Sequence, residues 1–526
     1  MSEPAPPTAP PAHDRAALDR SLVRGVAWTG GMKWLTQAAT WISTLIVARL
    51  LSPEDYGLVG MATVYVGLLA LLSESGIGTT ILTIRELEGR AVEELHSVAV
   101  AAGVAGFVLS CLVAKSLSIF FHQPALQGVI IALSVNFVIT ALRTVPQSLL
   151  RRDLRFRRTA AIEGASSIIV AATSIALAMA GFRYWTLVVA TLLGSAVATI
   201  SVLVARPLRF RRPAFANMGR TLRVSRDILI GTIAWYVFEN SDFFVAGKVL
   251  GAAALGVYTV AWNLAYSVVE KVTGLISGVT SSIFSAAKHD AALLERYVVQ
   301  ITGALSLVLL PATVGVALVA PELVRSVLGP KWTTAIVPLQ ILVLYASVRS
   351  LTPILAQALT VAGDTRYTMM RSVVAAVCMP IGFFVGARWG IVGVASAWIV
   401  VHAPLVVAPL FRRATTRLGV SPTVYFAAIR PAAVSTIVMA MVVLGGGYAL
   451  SEVLSDGPRL AAKVLLGAAA YAACLGGVFR PRVMAVVNAL RRASGGAATA
   501  APPSGTGGGD GPPGPTSIRP SGAAAT

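Results

Sequence analysis

The chain has 526 residues, 56% of them hydrophobic and only 13% charged, with a mean hydropathy of +0.75. Soluble domains carry about 25% charged residues to cover their surface, so a water-soluble globular fold is excluded. A net charge of +20 would suit nucleic acid if it formed one basic face. Here Lys and Arg are spread through short connections between apolar blocks, which is the distribution of topology determinants and speaks against a nucleic-acid partner.

Residues 1–25 are polar and Pro/Ala-rich, without the apolar core of a cleavable signal. They are expected to form a disordered cytoplasmic N-terminus, with the first helix acting as its own insertion signal. Blocks of about 20 apolar residues, the length that crosses the hydrocarbon core, then follow. The first six are Val26–Leu50, Gly57–Leu72, Val98–Phe120, Leu126–Leu142, Ala160–Ala180 and Trp185–Ala205, an N-terminal lobe over 26–205. A basic cytoplasmic linker, 206–227, leads to Ile228–Leu250, Val257–Phe284, Val299–Ala320, Ala335–Leu359, Ser372–Ala387 and Ile391–Leu410, a second lobe over 228–411. Ala432–Leu450 and Leu460–Phe479 form a last pair within 412–493, and 494–526 is Gly/Pro/Ala/Ser low complexity, expected to be disordered. The blocks lack the dyad alternation of a membrane barrel. The fold class is therefore an all-α integral membrane protein of about 14 transmembrane helices, in two pseudo-symmetric six-helix lobes plus a C-terminal helix pair. Most Lys and Arg fall on one side of this arrangement, which predicts that both termini are cytoplasmic.

The lobes repeat one another. Val47-Ala48-Arg49-Leu50-Leu51 before Gly57 parallels Val245-Ala246-Gly247-Lys248-Val249 before Gly256. Likewise Leu142-Arg143, Pro146 and Asp153 parallel Val348-Arg349, Pro353 and Asp364. Matches six helices apart point the same way across the bilayer, a parallel repeat about an axis along the membrane normal.

Charges at membrane depth cost about 2.5–3.5 kcal/mol each on insertion scales, so they mark cavities or partners. Lys33, Gln37, Thr40 and Thr44 share one face of the first helix, and Trp235, Glu239 and Asp242 one face of the seventh. The eighth offers Asn263, Ser267, Glu270 and Lys271; Glu74 ends the second. One reading is that these residues pair with each other and only hold helices together, Glu239 or Glu270 with Lys271, while Lys33 and Arg143 snorkel to headgroups. The other places Lys33, Gln37, Arg143, Lys271 and Arg349 along a cationic path for an anionic headgroup, because a guanidinium matches phosphate with two parallel hydrogen bonds. Glu239 and Asp242, one turn apart, together with Glu74, suit a proton or sodium site and hence coupling to an ion gradient.

No Walker A, GxSxG, HExxH or dinucleotide motif is present in a suitable context, so catalytic residues, a bound metal and an organic cofactor are not expected. Cys111, Cys378 and Cys474 each lie in an apolar block with no metal-ligand spacing.

The segment Val47-Ala48-Arg49-Leu50-Leu51-Ser52-Pro53-Glu54-Asp55-Tyr56-Gly57 resembles a signature of bacterial polysaccharide (Wzx-like) flippases of the multidrug/oligosaccharidyl-lipid/polysaccharide exporter superfamily. The likeness continues through Leu149–Arg158, Asn240-Ser241-Asp242, Leu250-Gly251, Leu255–Tyr258, Leu328–Trp332 and Gly390–Ala395. It implies 14 helices in two lobes and movement of an undecaprenyl-pyrophosphate-linked oligosaccharide between leaflets of the bacterial plasma membrane by alternating access. Lipopolysaccharide or exopolysaccharide synthesis would be the setting, with glycosyltransferases and a polymerase as partners beside membrane lipids. It further implies a pyrophosphate role for Lys33, Arg143 and Arg349, and it places Asp242 at the family's acidic position, with Glu239 unmatched. Two alternatives stand beside it. One is a drug/cation antiporter of the same superfamily, which requires a net negative cavity; the other is a non-transporting membrane subunit of a polysaccharide synthesis complex, which requires that all buried charges be paired.

Overall fold

The computed structural model describes residues 36–74, 89–153, 155–208, 210–211, 233–288, 290–450 and 452–480. All packing discussed below lies within the unit that runs to Leu475. Each regular element among these residues is helical, as it has to be where backbone amides are satisfied inside their own segment. The first half contains α1 (36–50), α2 (Pro53–Glu74), α3 (Gly89–Phe121), α4 (Ala125–Arg152), α5 (Phe156–Met179) and α6 (Trp185–Ala205). The second half contains α7 (233–245, with a π turn Ala246–Leu250), α8 (Gly251–Ala286), α9 (Ala291–Leu323), α10 (Ile336–Val361) and α11 (Thr365–Gly386). It ends in α12, which runs as Gly390–Ala397, a π stretch Trp398–Val407 and Ala408–Leu418. Then come α13 (Pro422–Ala449) and α14 (Asp456–Val478).

Among the described residues eleven segments are long and apolar enough to cross a membrane, and two of them, Ile233–Ser267 and Thr365–Leu418, run through two helices each. Those runs divide at Gly251 and Gly390, whose φ of 85° and 67° glycine adopts without the strain a Cβ would add. With α1, the described residues thus hold fourteen helices, and the chain is an all-α multi-pass membrane protein. Several helices run further than expected at the even-to-odd connections: α3 starts at Gly89, α4 ends at Arg152, α11 starts at Thr365, α12 ends at Leu418 and α13 starts at Pro422. A hydropathy window trims these charged turns, although a helix continues past the hydrocarbon as long as its backbone bonds do. At the other end, α2 starts at Pro53 because Ser52 and Asp55 form a cap. The Ser52 amide and hydroxyl donate to Asp55 Oδ2 at 3.0 and 2.7 Å, and the Asp55 amide donates to Ser52 Oγ at 3.2 Å.

Within the first half α3 packs on α4, α5 on α6, and α4 on both α2 and α6; within the second, α8, α9 and α10 pack together and α11 lies on α12. The halves join where α2 crosses α8. A Cβ on Gly57 would collide with the Ala252 carbonyl, and one on Gly256 with the Pro53 carbonyl. Gly57 corresponds to Gly256 in the repeat, and Pro53 to Ala252, so the contact is reciprocal, as a two-fold relation between the halves requires. Small residues allow this backbone-to-backbone approach, which dispersion between helices then stabilises.

The odd-to-even connections repeat the reciprocity. Arg49 Nη1, at the end of α1, donates to the Ser326 carbonyl after α9 at 3.2 Å, while Lys248 Nζ, at the equivalent place after α7, donates to the Phe120 carbonyl on α3 at 2.6 Å. Trp332 Nε1, fully buried, donates to the Ala48 carbonyl at 2.8 Å and meets Tyr56 edge to face. These carbonyls lie in last turns, where intrahelical donors run out and cations are favoured by the helix dipole. Arg183, in the α5–α6 turn, adds an ion pair to Asp55 at 3.3 Å.

At the even-to-odd connections each half is stapled to itself. Asp153 pairs with Arg206 at 4.0 Å, and the equivalent Asp364 pairs with Arg413 through Nε at 2.6 Å and Nη2 at 3.2 Å. The last pair of helices leans on α9: Lys463 of α14 meets Glu322 at 2.5 Å, and Tyr471 donates to the Leu307 carbonyl at 2.7 Å.

Two outcomes follow from these contacts. Gly256→Val should lower unfolding stability in detergent by about 1–3 kcal/mol or more, the cost of forcing a side chain into closed packing; a variant melting with wild type would sever the link between this glycine and lobe association. The hydrogen bonds from Arg413 hold the Asp364 carboxyl below its usual range. A depressed folded-state pKa stabilises above the unfolded value, near 3.9, and that contribution is lost as pH falls through the folded value. Asp364→Asn should therefore destabilise the protein at neutral pH and shrink the difference from wild type in the most acidic unfolding curves.

Candidate functional site

Arg349 stands at the centre of the polar residues held at membrane depth. It projects from α10 and forms an ion pair with Glu239 of α7. Its guanidinium lies 4.8 Å from the Tyr266 ring centroid, 5.0 Å from Trp398 and 5.5 Å from Trp262. Trp262 and Tyr266 stack on each other at 4.2 Å, one turn apart on α8. Three ring faces and one carboxylate replace the water a guanidinium would otherwise need, each ring through its quadrupole.

Asp242, one turn beyond Glu239, has a different environment. It is fully buried, and its Oδ2 accepts from Tyr258 at 2.6 Å and from Trp398 Nε1 at 3.1 Å, while Oδ1 accepts from the Phe243 amide at 2.9 Å. The two carboxylates of α7 thus turn to separate partners, linked through Trp398, whose nitrogen serves Asp242 and whose face serves Arg349. Trp398 opens the π stretch of α12, which also carries His402 and Pro404. Proline lacks the amide that would keep α-helical pairing, and such a widened turn re-aims side chains inward. His402 Nδ1 is hydrogen-bonded to the Tyr345 hydroxyl and its ring stacks on Phe238.

Three cavities surround this network. One of about 650 Å³ lies among α1, α2, α5, α6, α7 and α8 and is rich in hydroxyls and amides: Thr40, Ser43, Thr44, Thr63, Ser166, Ser167, Ser174, Thr191, Asn240, Thr259 and Asn263. Among the described residues its one carboxylate is that of Glu239. A second, of about 480 Å³, is lined by Gln37, Thr40, Trp41, Thr44, Trp262, Asn263, Tyr266, Ser267 and Glu270. A third, of about 580 Å³, lies within the second half among α7, α10, α11 and α12, lined by Trp235, Glu239, Arg349, Thr352, Arg371 and His402 among others. Glu239 borders both the first and the third.

The sequence candidates distribute unevenly over this geometry. Arg349 and Glu239 come together, and Gln37 lines a cavity, with Thr40 and Thr44 on the shared face. Arg143 is half-buried on α4 and does not line the three cavities. Lys33 lies outside the described residues, as do the side chains of Glu74 and Lys271. Sequence reasoning missed Arg371, one residue outside its hydropathy window, and the ring cage of Trp262, Tyr266 and Trp398. A signal for the cage existed: Tyr258, Trp262 and Tyr266 recur every four residues on one face of α8.

Tyr258→Phe tests the lock on Asp242. Removing that hydroxyl leaves a buried carboxylate short of a donor and should cost about 1.5–3 kcal/mol of unfolding stability; unchanged melting would mean that Trp398 and the backbone suffice.

The sequence model of a family described as polysaccharide biosynthesis protein matches residues 46–337, more than half of the chain. The chain is 24% identical over 344 residues to lipopolysaccharide biosynthesis protein WzxC of Escherichia coli (strain K12), covering 64% of this chain and 68% of that one. It is 26% identical over 322 residues to succinoglycan biosynthesis transport protein ExoT of Rhizobium meliloti (strain 1021), covering 60% and 64%. The matched region thus spans about two thirds of these relatives. Among solved structures, lipid II flippase MurJ in an inward closed conformation is similar in fold, with a TM-score of 0.70 at 12% identity over 87% of this chain and 100% of that one.

Proposed function

From the premise that this chain belongs to the polysaccharide biosynthesis protein family, we propose that it is a flippase for a polyprenyl-diphosphate-linked oligosaccharide, of the undecaprenyl type, acting by alternating access. The observation that carries this reading is the pairing of two cavities across Glu239. One is lined with hydroxyls whose protons go to backbone carbonyls, as at Thr40, Ser43, Ser166 and Thr259, and whose oxygens can accept from sugar hydroxyls, together with Asn263 and with Trp262 at its wall. The other carries, among the described residues, two guanidiniums, Arg349 and Arg371, and one carboxylate, Glu239. A cation/drug pocket calls for unneutralised acids, and in the larger cavity the one acid among the described residues already holds an arginine; the exposed Glu270 in the second cavity is the exception.

With both termini in the cytoplasm, the end closed by Arg49, Lys248, Trp332 and Arg183 faces outward. Release to the outer leaflet then requires these capping contacts to open, while the staples Asp153–Arg206 and Asp364–Arg413 keep each half intact. Coupling to a proton or sodium gradient enters through Glu239, which borders both cavities. The lipid-linked substrate would come from glycosyltransferases and pass to a polymerase. No step requires bond chemistry from the protein, in keeping with relatives named for transport and biosynthesis.

The test is flipping of a fluorescent polyprenyl-diphosphate oligosaccharide in proteoliposomes. Wild type should flip it, and Arg349→Ala, inserted normally, should lose about tenfold or more of the rate, one charge-assisted hydrogen bond at the low end. Absence of wild-type flipping with efflux of organic cations instead would replace this reading by the antiporter.

A further inference from the structure

The cavity of about 650 Å³ has a hydrogen-bonding sense that its residue types alone do not reveal. A hydroxyl has one proton, and a backbone carbonyl can only accept it. Each serine and threonine hydroxyl of that wall donates to such a carbonyl. Most stay within their own helix, as Thr40 does to Thr36, Thr63 to Gly60 and Thr191 to Leu187, at 2.8, 2.9 and 2.8 Å; Thr44, Ser167, Ser174 and Thr259 follow the same pattern. Two cross to a neighbour: Ser43 to the Ala171 carbonyl on α5 at 3.1 Å, and Ser166 to the Gly194 carbonyl on α6 at 2.7 Å. The protons are committed, so these hydroxyls turn lone pairs toward the cavity. The Glu239 carboxylate adds more acceptors. Among the described residues the donors of this wall are neutral, the amides of Asn240 and Asn263 and the ring groups of Tyr56 and Trp262, and Asn240 already gives one N–H to the Tyr236 carbonyl at 3.0 Å. No Lys, Arg or His lines it among those residues.

We infer that this cavity selects the sugar of the substrate by charge: it takes neutral, hydroxyl-bearing units and rejects units that carry a carboxylate, sulfate or phosphate. The inference rests on the flippase reading above and deepens it. A sugar hydroxyl can donate to a wall of lone pairs and still accept from Asn263. An ionised acid on the sugar only accepts. Against this wall two acceptors would meet with no proton between them, and the charge would leave water with no cation to receive it. Specificity then comes from an unfavourable contact with the wrong sugar as much as from favourable ones with the right sugar. A sugar ammonium gains little there, because the carboxylate of Glu239 is already held by Arg349.

The experiment is flipping in proteoliposomes of three fluorescent polyprenyl-diphosphate tetrasaccharides of one chain length: an all-hexose chain, the same chain with one uronate, and that uronate as its methyl ester. Wild type should flip the hexose chain and the ester alike, and the uronate about tenfold more slowly or worse. Thr191→Lys, on the exposed part of the wall, brings in a cation and should close most of that gap; Ser167→Arg on α5 serves where the first variant does not insert. Thr40→Val with Thr191→Val removes two acceptors without opening a donor and should slow the hexose chain about fivefold or more. A uronate flipped as fast as the hexose chain, or an ester as slow as the uronate, overturns the inference and leaves the transport reading standing. If none of the three is flipped, the transport reading falls, and titration with the free tetrasaccharides decides the selection through tryptophan fluorescence, since Trp262 lies in the wall. The hexose chain and the ester should then change the signal and the uronate should not. An equal response to all three, or to none, overturns the inference.

Discussion

The backbone of α8 occupies the space where a side chain at position 57 would be, and the backbone of α2 does the same to position 256. Much else depends on that reciprocal crossing. With the two helices in backbone contact, the ends of α1, α3, α7 and α9 come close enough for each half to supply donors to the other's last carbonyls, as Arg49, Lys248 and Trp332 do. Those carbonyls lie in last turns, where the helix itself supplies no further donors. The join between halves thus combines backbone contact and capped carbonyls with apolar side chains from both sides, Leu51 and Tyr56 among Val257 and Tyr258, and Leu58 and Met61 beside Ala252 and Leu255. Lipid tails are as apolar as leucine, so close packing and hydrogen bonds are what can hold helices together there.

The same economy explains the charges held at depth. Glu239 and Arg349 neutralise one another, the rings of Trp262, Tyr266 and Trp398 cover the guanidinium, and Trp398 passes its N–H to Asp242. Four helices, α7, α8, α10 and α12, are tied by this one chain of contacts. Within it, Arg349 Nη1 and the Tyr266 hydroxyl are buried without a hydrogen-bond partner. A polar network so nearly closed holds its shape.

Some of this was legible before any coordinate was known. The glycines at 57 and 256 and the acids at 153 and 364 stand at matching places of the repeat, and the structure puts each pair in equivalent contacts. Arg349 could be singled out because an arginine deep in an apolar block has no way to snorkel. Arg371 could not, because it sits at a block edge where a charge is ordinary. The aromatic cage escaped notice for a related reason: tryptophan and tyrosine in an apolar helix are common, and nothing local says that their faces meet a cation. Glu239 and Asp242 looked like one site because residues one turn apart share a side of a helix, yet a few tens of degrees of rotation send them to different neighbours.

Hydropathy, helix count, the register of the repeat and the residues under electrostatic strain are properties of the sequence by itself, because the bilayer forces each apolar block to satisfy its own backbone and penalises every charge inside it. Which charges pair, which carbonyls are capped from across the join, and which hydroxyls collect around one cavity were decided only by the tertiary structure. Each residue turns about 100° around its helix, so the neighbours of a polar side chain depend on helix rotation and crossing, and these are set by contacts such as Gly57 on Ala252 between segments about two hundred residues apart.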